Sequence, residues 1–236
     1  RGELTAIKQL STRSLERTFV TFEIPPIPMT FKKDDPGIPD GLKRTVDQHL
    51  EAFCDRLIFG MKPGFEFGVD FSPLERHSIK KASLVESVIG PLKAAGLSPI
   101  PVLGLNEQFP HFGRIVDFCS DTGSPFVVRV SREECGFPGA IERRVAELAQ
   151  STAVSTNSIR LLFDFGSITP GDIEDVADTS RALEEELPLS DYAMASTVAA
   201  SIPDSQVLLL RLKYGESDRI LRAEWIAWKQ AELAQL

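Results

Sequence analysis

Apolar, strand-like runs alternate with amphipathic helical segments along this sequence, and this alternation limits the possible folds more than any other feature. Strands are predicted at 18–26, 65–73, 99–105, 125–132, 159–166 and 192–200. Several of these runs are almost continuously apolar, which is typical of parallel strands covered on both faces. Helical periodicity fills the intervals, for example at 42–59, 138–150 and 172–187. The order predicts repeated βαβ units and an α/β fold.

Two parallel architectures suit this alternation, an open doubly wound sheet and a closed barrel. A doubly wound sheet usually has a G-x-G-x-x-G turn after its first strand, and the sequence contains no such string. A barrel needs eight strands. Helical segments at 2–10 and 204–236 predict one further strand before the given chain and one after it. We therefore expect a (β/α)8 TIM-barrel-like fold in a single domain over 1–236, with its first and last strands outside the given chain.

Composition excludes several classes of function. The formal net charge of −8 argues against general nucleic-acid binding, which needs clustered Lys and Arg. Apolar runs are too short for a membrane helix, which needs about 20 residues, so no membrane partner is expected. The cysteines Cys54, Cys119 and Cys135 form no CxxC pair, which is consistent with a reducing cytoplasm.

Charged residues lie at the ends of four predicted strands. Glu23 ends the first, Asp70 the second, Arg129 (followed by Arg132) the fourth and Asp164 the fifth. Catalytic groups of β/α barrels come from the carboxyl-terminal ends of several different strands. This pattern predicts a shared acidic site at that end of the barrel, with Glu23, Asp70 and Asp164 as candidate catalytic residues.

Three interpretations of this site remain open. Glu23, Asp70 and Asp164 could bind Mg²⁺ or Mn²⁺ through oxygen ligands while Arg129 binds a phosphate or carboxylate of the substrate. Alternatively, one carboxylate could act as a general acid or base, its pKa raised by its neighbours. In the third interpretation, Arg129 pairs with Asp164 or Asp70 and only closes the barrel mouth.

Other residues are weaker candidates. Arg132, His77 and Ser196 could contact a ligand, since each lies on or just after a predicted strand. His49 falls in the middle of a predicted helix, where a solvent-exposed side chain is expected. Glu133 and Glu134 beside Cys135 should raise its thiol pKa, which argues against a nucleophile.

Motifs spread over nearly the whole chain resemble the Beta protein family of bacterial and phage-borne proteins. They run from Gly2-Glu-Leu and Phe22-Glu-Ile-Pro-Pro through Gly68-Val-Asp-Phe and Leu162-Phe-Asp-Phe-Gly to Arg222-Ala-Glu-Trp. Ile202 departs from the family pattern, in which an aromatic residue more often precedes the proline found here as Pro203. The resemblance implies a barrel-like body and a phage or mobile-element context, and it assigns no reaction and no catalytic residue.

Two functions therefore remain open. The first is an acidic site that binds an anionic small molecule, phosphorylated or nucleotide-like, and that could support metal-assisted chemistry. The second is a non-catalytic module that binds a protein partner in a phage–host conflict system. The first predicts that the strand-end residues matter for function, and the second that surface residues do.

Overall fold

The computed structural model describes residues 19–31, 39–77 and 84–200, together with isolated helical positions at Leu4, Ile7, Gln9, Ile226, Ala227 and Lys229. Within these residues the strands are β1 (Val20–Glu23), β2 (Met29–Phe31), β3 (Pro39–Leu42), β4 (Glu66–Asp70), β5 (Ser98–Gly104), β6 (Val127–Ser131), β7 (Arg160–Ser167) and β8 (Met194–Ala200). The helices are α1 (Val46–Gly60), α2 (Glu86–Ala94), α3 (Phe112–Thr122), α4 (Arg132–Cys135), α5 (Pro138–Thr152) and α6 (Ile173–Glu186). The predicted helix at 204–236 lies almost entirely outside the described residues.

The predicted α/β fold is confirmed. Six strands form one sheet in the order β1-β4-β5-β6-β7-β8. The pairs β1/β4, β4/β5 and β7/β8 are parallel, as expected when helices connect successive strands. All six predicted strands are present. The prediction succeeded because each strand coincides with a long apolar run in the sequence. Closure into an eight-stranded barrel stays a prediction.

A small antiparallel hairpin between β1 and α1 was not predicted. β2 pairs with β3 so that Met29 lies opposite Leu42 and Thr30 opposite Gly41. The Thr30 hydroxyl also donates a hydrogen bond to the carbonyl oxygen of Gly41 at 3.1 Å. β3 was not expected from the sequence, because Pro39 and Gly41 are residue types that strands normally avoid.

The chain divides into two compact units. The first comprises Arg1–Val127 with Ser151–Val154, and the second comprises Val128–Gln150 with Ser155–Leu236. Large apolar side chains such as Phe67, Phe71 and Leu92 are fully buried in the first unit, and Val130, Leu161 and Phe163 are buried in the second. The single domain expected over 1–236 stays a prediction.

Capping interactions set the ends of two helices in the first unit. The Thr45 side chain accepts the Gln48 backbone N–H at 3.2 Å, and the Gln48 side chain accepts the Thr45 N–H at 3.1 Å, so α1 begins at Val46. After α2, Gly96 has a φ of +79° and its N–H donates to the Lys93 carbonyl. The Leu97 N–H donates to the Leu92 carbonyl, which completes a Schellman motif at the end of α2.

No described helix is both long and apolar enough to cross a membrane.

Candidate functional site

An ion pair joins two neighbouring strands of the second unit. Arg129 lies on β6 and Asp164 on β7. The Nε–H of Arg129 donates to Oδ2 of Asp164 at 2.7 Å, and Nη2 lies 2.5 Å from the same oxygen. The side chains are partly buried, 29% of Arg129 and 15% of Asp164 being exposed. The predicted pairing of Arg129 with Asp164 is confirmed, and it fixes the orientation of a guanidinium that solvent can still reach.

The backbone holds the second oxygen of Asp164. The Gly166 N–H donates to Oδ1 at 2.8 Å, which is the side-chain turn typical of aspartate. Gly166 has a φ of +63°, and the β7/β8 register shifts between Asp164 and Ser167. Glycine adopts such a φ without steric cost, and irregularities of this kind re-aim side chains beside functional sites. Asp164 is therefore fixed at both oxygens.

β8 places further side chains on the same face of the sheet. Leu162 pairs with Ser196, and Asp164 pairs with Val198, in parallel register. Paired residues of parallel strands point to the same face, so Ser196 and Val198 share the face of Asp164. Ser196 is half-buried and Val198 is exposed. Among the predicted site residues, the structure thus pairs Arg129 with Asp164 and places Ser196 on the same face of the neighbouring strand, beside Leu162.

Arg132 contacts two carboxylates of its own chain. Its Nη2 donates to Oδ1 of Asp172 at 2.7 Å and to Oδ2 of Asp175 at 2.9 Å. Arg132 begins α4 directly after β6, whereas Asp172 and Asp175 lie at the start of α6, beyond β7. These bonds tie together the segments that follow β6 and β7. Arg132, predicted as a ligand contact, thus already holds an internal ion pair.

The carboxyl group of Asp172 should stay ionised in moderately acidic solution. The Thr169 hydroxyl donates to Oδ2 at 2.5 Å and the Thr169 N–H at 2.7 Å. These bonds, with the Thr169 hydroxyl as the largest cause, and Arg132 hold the pKa of Asp172 well below its usual range. Because the unfolded pKa is higher, about 3.9, the stabilisation is complete above that pH and is lost as pH falls toward the folded pKa.

NMR titration of the side-chain carboxyl carbons tests this. We expect Thr169→Val to raise the pKa of Asp172 more than Arg132→Gln does, because the hydroxyl bond has the larger effect. The opposite order, or no change in either variant, would contradict this account.

Asp70 and Glu23 end neighbouring strands of the first unit. The two residues are paired in parallel register at the ends of β4 and β1. Asp70 is 0% exposed, and its Oδ1 accepts the Ser72 N–H at 2.8 Å. Glu23 is exposed. Asp70 is therefore positioned to hold the turn after β4, whereas Glu23 is accessible to solvent.

The three histidines differ in their surroundings. His49 was expected to be exposed, and this was wrong, because it is buried and its Nε2–H donates to the Pro25 carbonyl oxygen at 2.7 Å. The bond ties α1 to the segment after β1. His111 precedes α3 with a φ of +61°, and its Nδ1 lies 3.4 Å from a guanidinium nitrogen of Arg114. The backbone of His77 ends a 3₁₀ turn after β4.

The described residues offer no metal-binding cluster. Among them, no group of three or more His, Cys, Asp or Glu side chains could hold a metal ion. The predicted Mg²⁺ or Mn²⁺ site at Glu23, Asp70 and Asp164 therefore gains no support. Asp70 accepts a backbone N–H, and Asp164 accepts an arginine and a backbone N–H.

Comparison with known proteins decides the family. The sequence pattern of the Beta protein family matches residues 1–236, which is the whole given chain. The chain belongs to the Beta protein family. The predicted resemblance is thereby confirmed. No curated protein matches the sequence.

Two solved structures are distantly similar to this Beta protein family member. Native anSMEcpe with bound AdoMet matches with a TM-score of 0.45 and 14% identity, over 92% of this chain and 60% of that one. Native anSMEcpe with bound AdoMet and Kp18Cys peptide matches with a TM-score of 0.42 and 16% identity, over 91% and 58% of the two chains. This chain thus spans about three fifths of the length of these proteins, and similarities at this level carry no argument about its function.

Sequence reasoning missed two features of the strand ends in this Beta protein family member. Asn106 follows β5, and its side-chain oxygen accepts the Gln108 N–H at 3.0 Å, as Asp70 and Asp164 accept the N–H two residues on. Thr169 was also missed as the partner of Asp172. Both were readable as turn or capping signals, namely Asn just after a strand and Thr three residues before an acid.

The thiol pKa of Cys135 is raised, as predicted. Cys135 is buried, and burial first, then the charges of Glu134, Asp164 and Glu133, raise its thiol pKa to about 12. A thiol with so high a pKa forms almost no thiolate at neutral pH, which argues against a nucleophilic role.

Proposed function

We propose that this chain binds an anionic small molecule, carrying a phosphate or carboxylate group, at the carboxyl-terminal ends of the strands of its second unit. The observation that supports this is the Arg129–Asp164 pair, which lies on neighbouring strands, is partly exposed and is fixed by the Gly166 N–H. Ligands of parallel α/β proteins bind outside the carboxyl ends of the strands.

Arg129 is the anion-binding group in this proposal. Asp164 takes two of the five N–H groups of the guanidinium through a single oxygen, Oδ2. A planar guanidinium held in one orientation suits bidentate recognition of phosphate or carboxylate better than a flexible ammonium does. Ser196, on the same face, adds a hydroxyl that can donate to the ligand or accept from it.

Asp164 is a positioning residue in this scheme. Fixing the arginine before the ligand arrives reduces the entropy lost on binding. The proposal concerns binding, and the Mg²⁺- or Mn²⁺-assisted chemistry considered from the sequence is not part of it.

Thermal unfolding of the chain with a panel of anions tests the proposal. Inorganic phosphate, ribose 5-phosphate and citrate serve as probes. A ligand present at a hundred times its Kd should add about 2.7 kcal/mol to the free energy of unfolding. We expect this stabilisation to be lost in Arg129→Gln and partly kept in Arg129→Lys, because lysine retains the charge but not the planar fork.

Arg144→Gln is the matched control. Arg144 pairs with Glu147 at 2.8 Å on α5, with a similar exposed fraction to Arg129, and lies away from the strand ends. The control removes the same charge and should leave ligand stabilisation unchanged. Equal losses in Arg129→Gln and Arg144→Gln would mean that only net charge matters, and no stabilisation by any anion would reject the site.

A different observation favours the second function, a protein-binding module in a phage–host conflict system. Phe59 and Ile58 at the end of α1, and Met29 and Leu42 on the hairpin, are exposed apolar side chains of the first unit. Exposed apolar surface often marks a protein interface. Failure of every anion to stabilise the chain, together with partner binding that Phe59→Ser weakens and Arg129→Gln does not, would favour this function.

A further inference from the structure

One large aromatic side chain of the second unit is exposed although its backbone is fixed. Phe137 lies between α4 and α5, and its side chain is 67% exposed. Its N–H donates to the Glu134 carbonyl at 3.0 Å, and its own carbonyl accepts the N–H groups of Ala140 and Ile141 at 2.9 and 3.2 Å. Binding of a ligand over this ring should cost little conformational entropy, because the backbone that carries it is already fixed.

The short helix before Phe137 links it to the Arg129–Asp164 pair. α4 starts at Arg132, directly after β6, the strand that carries Arg129. Cys135, at the end of α4, is buried with its Sγ 4.0 Å from the Val130 carbonyl oxygen. Through Cys135, α4 thus packs back onto β6 at Val130, the residue next to Arg129. Phe137 follows two residues later.

We propose that Phe137 is a stacking surface for the base of a nucleotide whose phosphate binds Arg129. This inference rests on the proposed anion site and narrows its ligand from any anion to a nucleotide. An aromatic ring and an arginine are the two elements that base-tolerant nucleotide recognition needs, since every base has a stacking face and every nucleotide a phosphate.

The surroundings of Phe137 favour contact with a small ligand over docking of a protein. A protein interface normally combines an exposed aromatic with neighbouring apolar surface. The segment around Phe137 instead carries the charged residues Arg132, Glu133 and Glu134 on one side and the small residues Gly136 and Gly139 close by. A single ring in such surroundings suits a flat base better than an apolar protein patch.

Isothermal titration of the whole chain tests the inference. The probes are inorganic phosphate, ribose 5-phosphate and the 5′-monophosphates of adenosine, guanosine and uridine. Stacking of one base contributes about 1–3 kcal/mol, so the nucleotides should bind about 5- to 150-fold more tightly than ribose 5-phosphate. Phe137→Ala should remove this difference while leaving ribose 5-phosphate affinity unchanged, and Phe137→Tyr should keep it.

Phe59→Ala is the matched control. Phe59 is 83% exposed on α1 in the first unit, so its replacement removes an even more exposed ring elsewhere. It should leave every affinity unchanged. Equal affinities for nucleotides and ribose 5-phosphate, or a nucleotide preference that survives Phe137→Ala, would overturn the stacking role while the anion site stands. Failure of all probes to bind would instead reject the anion site, and the stacking role with it.

Discussion

Asp70→Ala should lower the free energy of unfolding by about 3 kcal/mol, whereas Asp70→Asn should lower it by only about 1 kcal/mol. The carboxylate is fully buried and accepts the Ser72 N–H. Alanine leaves that donor without its acceptor and leaves a space where the carboxyl group was. Asparagine keeps an oxygen at the same position and loses only the charge, so it should retain most of the turn.

Urea unfolding followed by circular dichroism measures both values, and anion titration of the same variants separates stability from binding. If Asp70 serves the turn after β4, Asp70→Asn should bind anions as tightly as the unmodified chain. Large loss of binding in a well-folded Asp70→Asn variant would show that Asp70 takes part in the ligand site, as the sequence interpretation had it. Equal destabilisation by alanine and asparagine would show that the charge itself, rather than the hydrogen bond, stabilises the fold.

Gly104→Val should destabilise the protein by about 3 kcal/mol, because the space beside Gly104 is occupied by Phe109. A Cβ atom at position 104 would lie 2.4–2.9 Å from Cδ2, Cγ and Cβ of Phe109. The Asn106 turn and the bond from the Phe109 N–H to the Asn106 carbonyl hold this ring close to the end of β5. The ring can rotate, but the Cβ of Phe109 moves only with its backbone, so relieving that contact requires the turn to shift.

Gly113→Ala is the control for this substitution. Gly113 lies in the first turn of α3, and nothing is within 4 Å of the position its Cβ would take. Alanine there should stabilise the protein by about 0.4–1 kcal/mol through the reduced entropy of the unfolded chain. Thermal melts of both variants give the comparison. A Gly104→Val protein as stable as the unmodified chain would show that Phe109 moves freely, and the double variant Gly104→Val/Phe109→Ala should recover part of the loss.

Strand positions were predictable because each depends on a local run of apolar residues. β7 is an example, since Leu161 and Phe163 are buried in it, although the strand continues past Asp164 to Ser167. The hairpin β2/β3 was not predictable in the same way. Its strands are short, and their positions depend on pairing with each other rather than on the strand preference of their residues.

Contacts between distant segments explain most of the differences at the site. The sequence identified Arg129 and Asp164 as possible partners because both were expected at strand ends. They are paired, although Arg129 lies in the middle of β6 and Asp164 three residues before the end of β7. It could not show that Asp172 and Asp175 bind Arg132, since forty residues or more separate the partners. Nor could it show that His49 is buried against Pro25, because the helical pattern around His49 does not reveal what the segment after β1 covers.

The turn at Gly166 makes the orientation of Asp164 partly independent of its arginine. A backbone N–H does not titrate and cannot be removed by side-chain substitution, so Oδ1 keeps its donor whatever residue occupies position 129. The site is in this sense modular. Replacing Arg129 with a neutral or acidic residue would therefore change the charge of the proposed anion site without removing the donor that holds Oδ1 of Asp164.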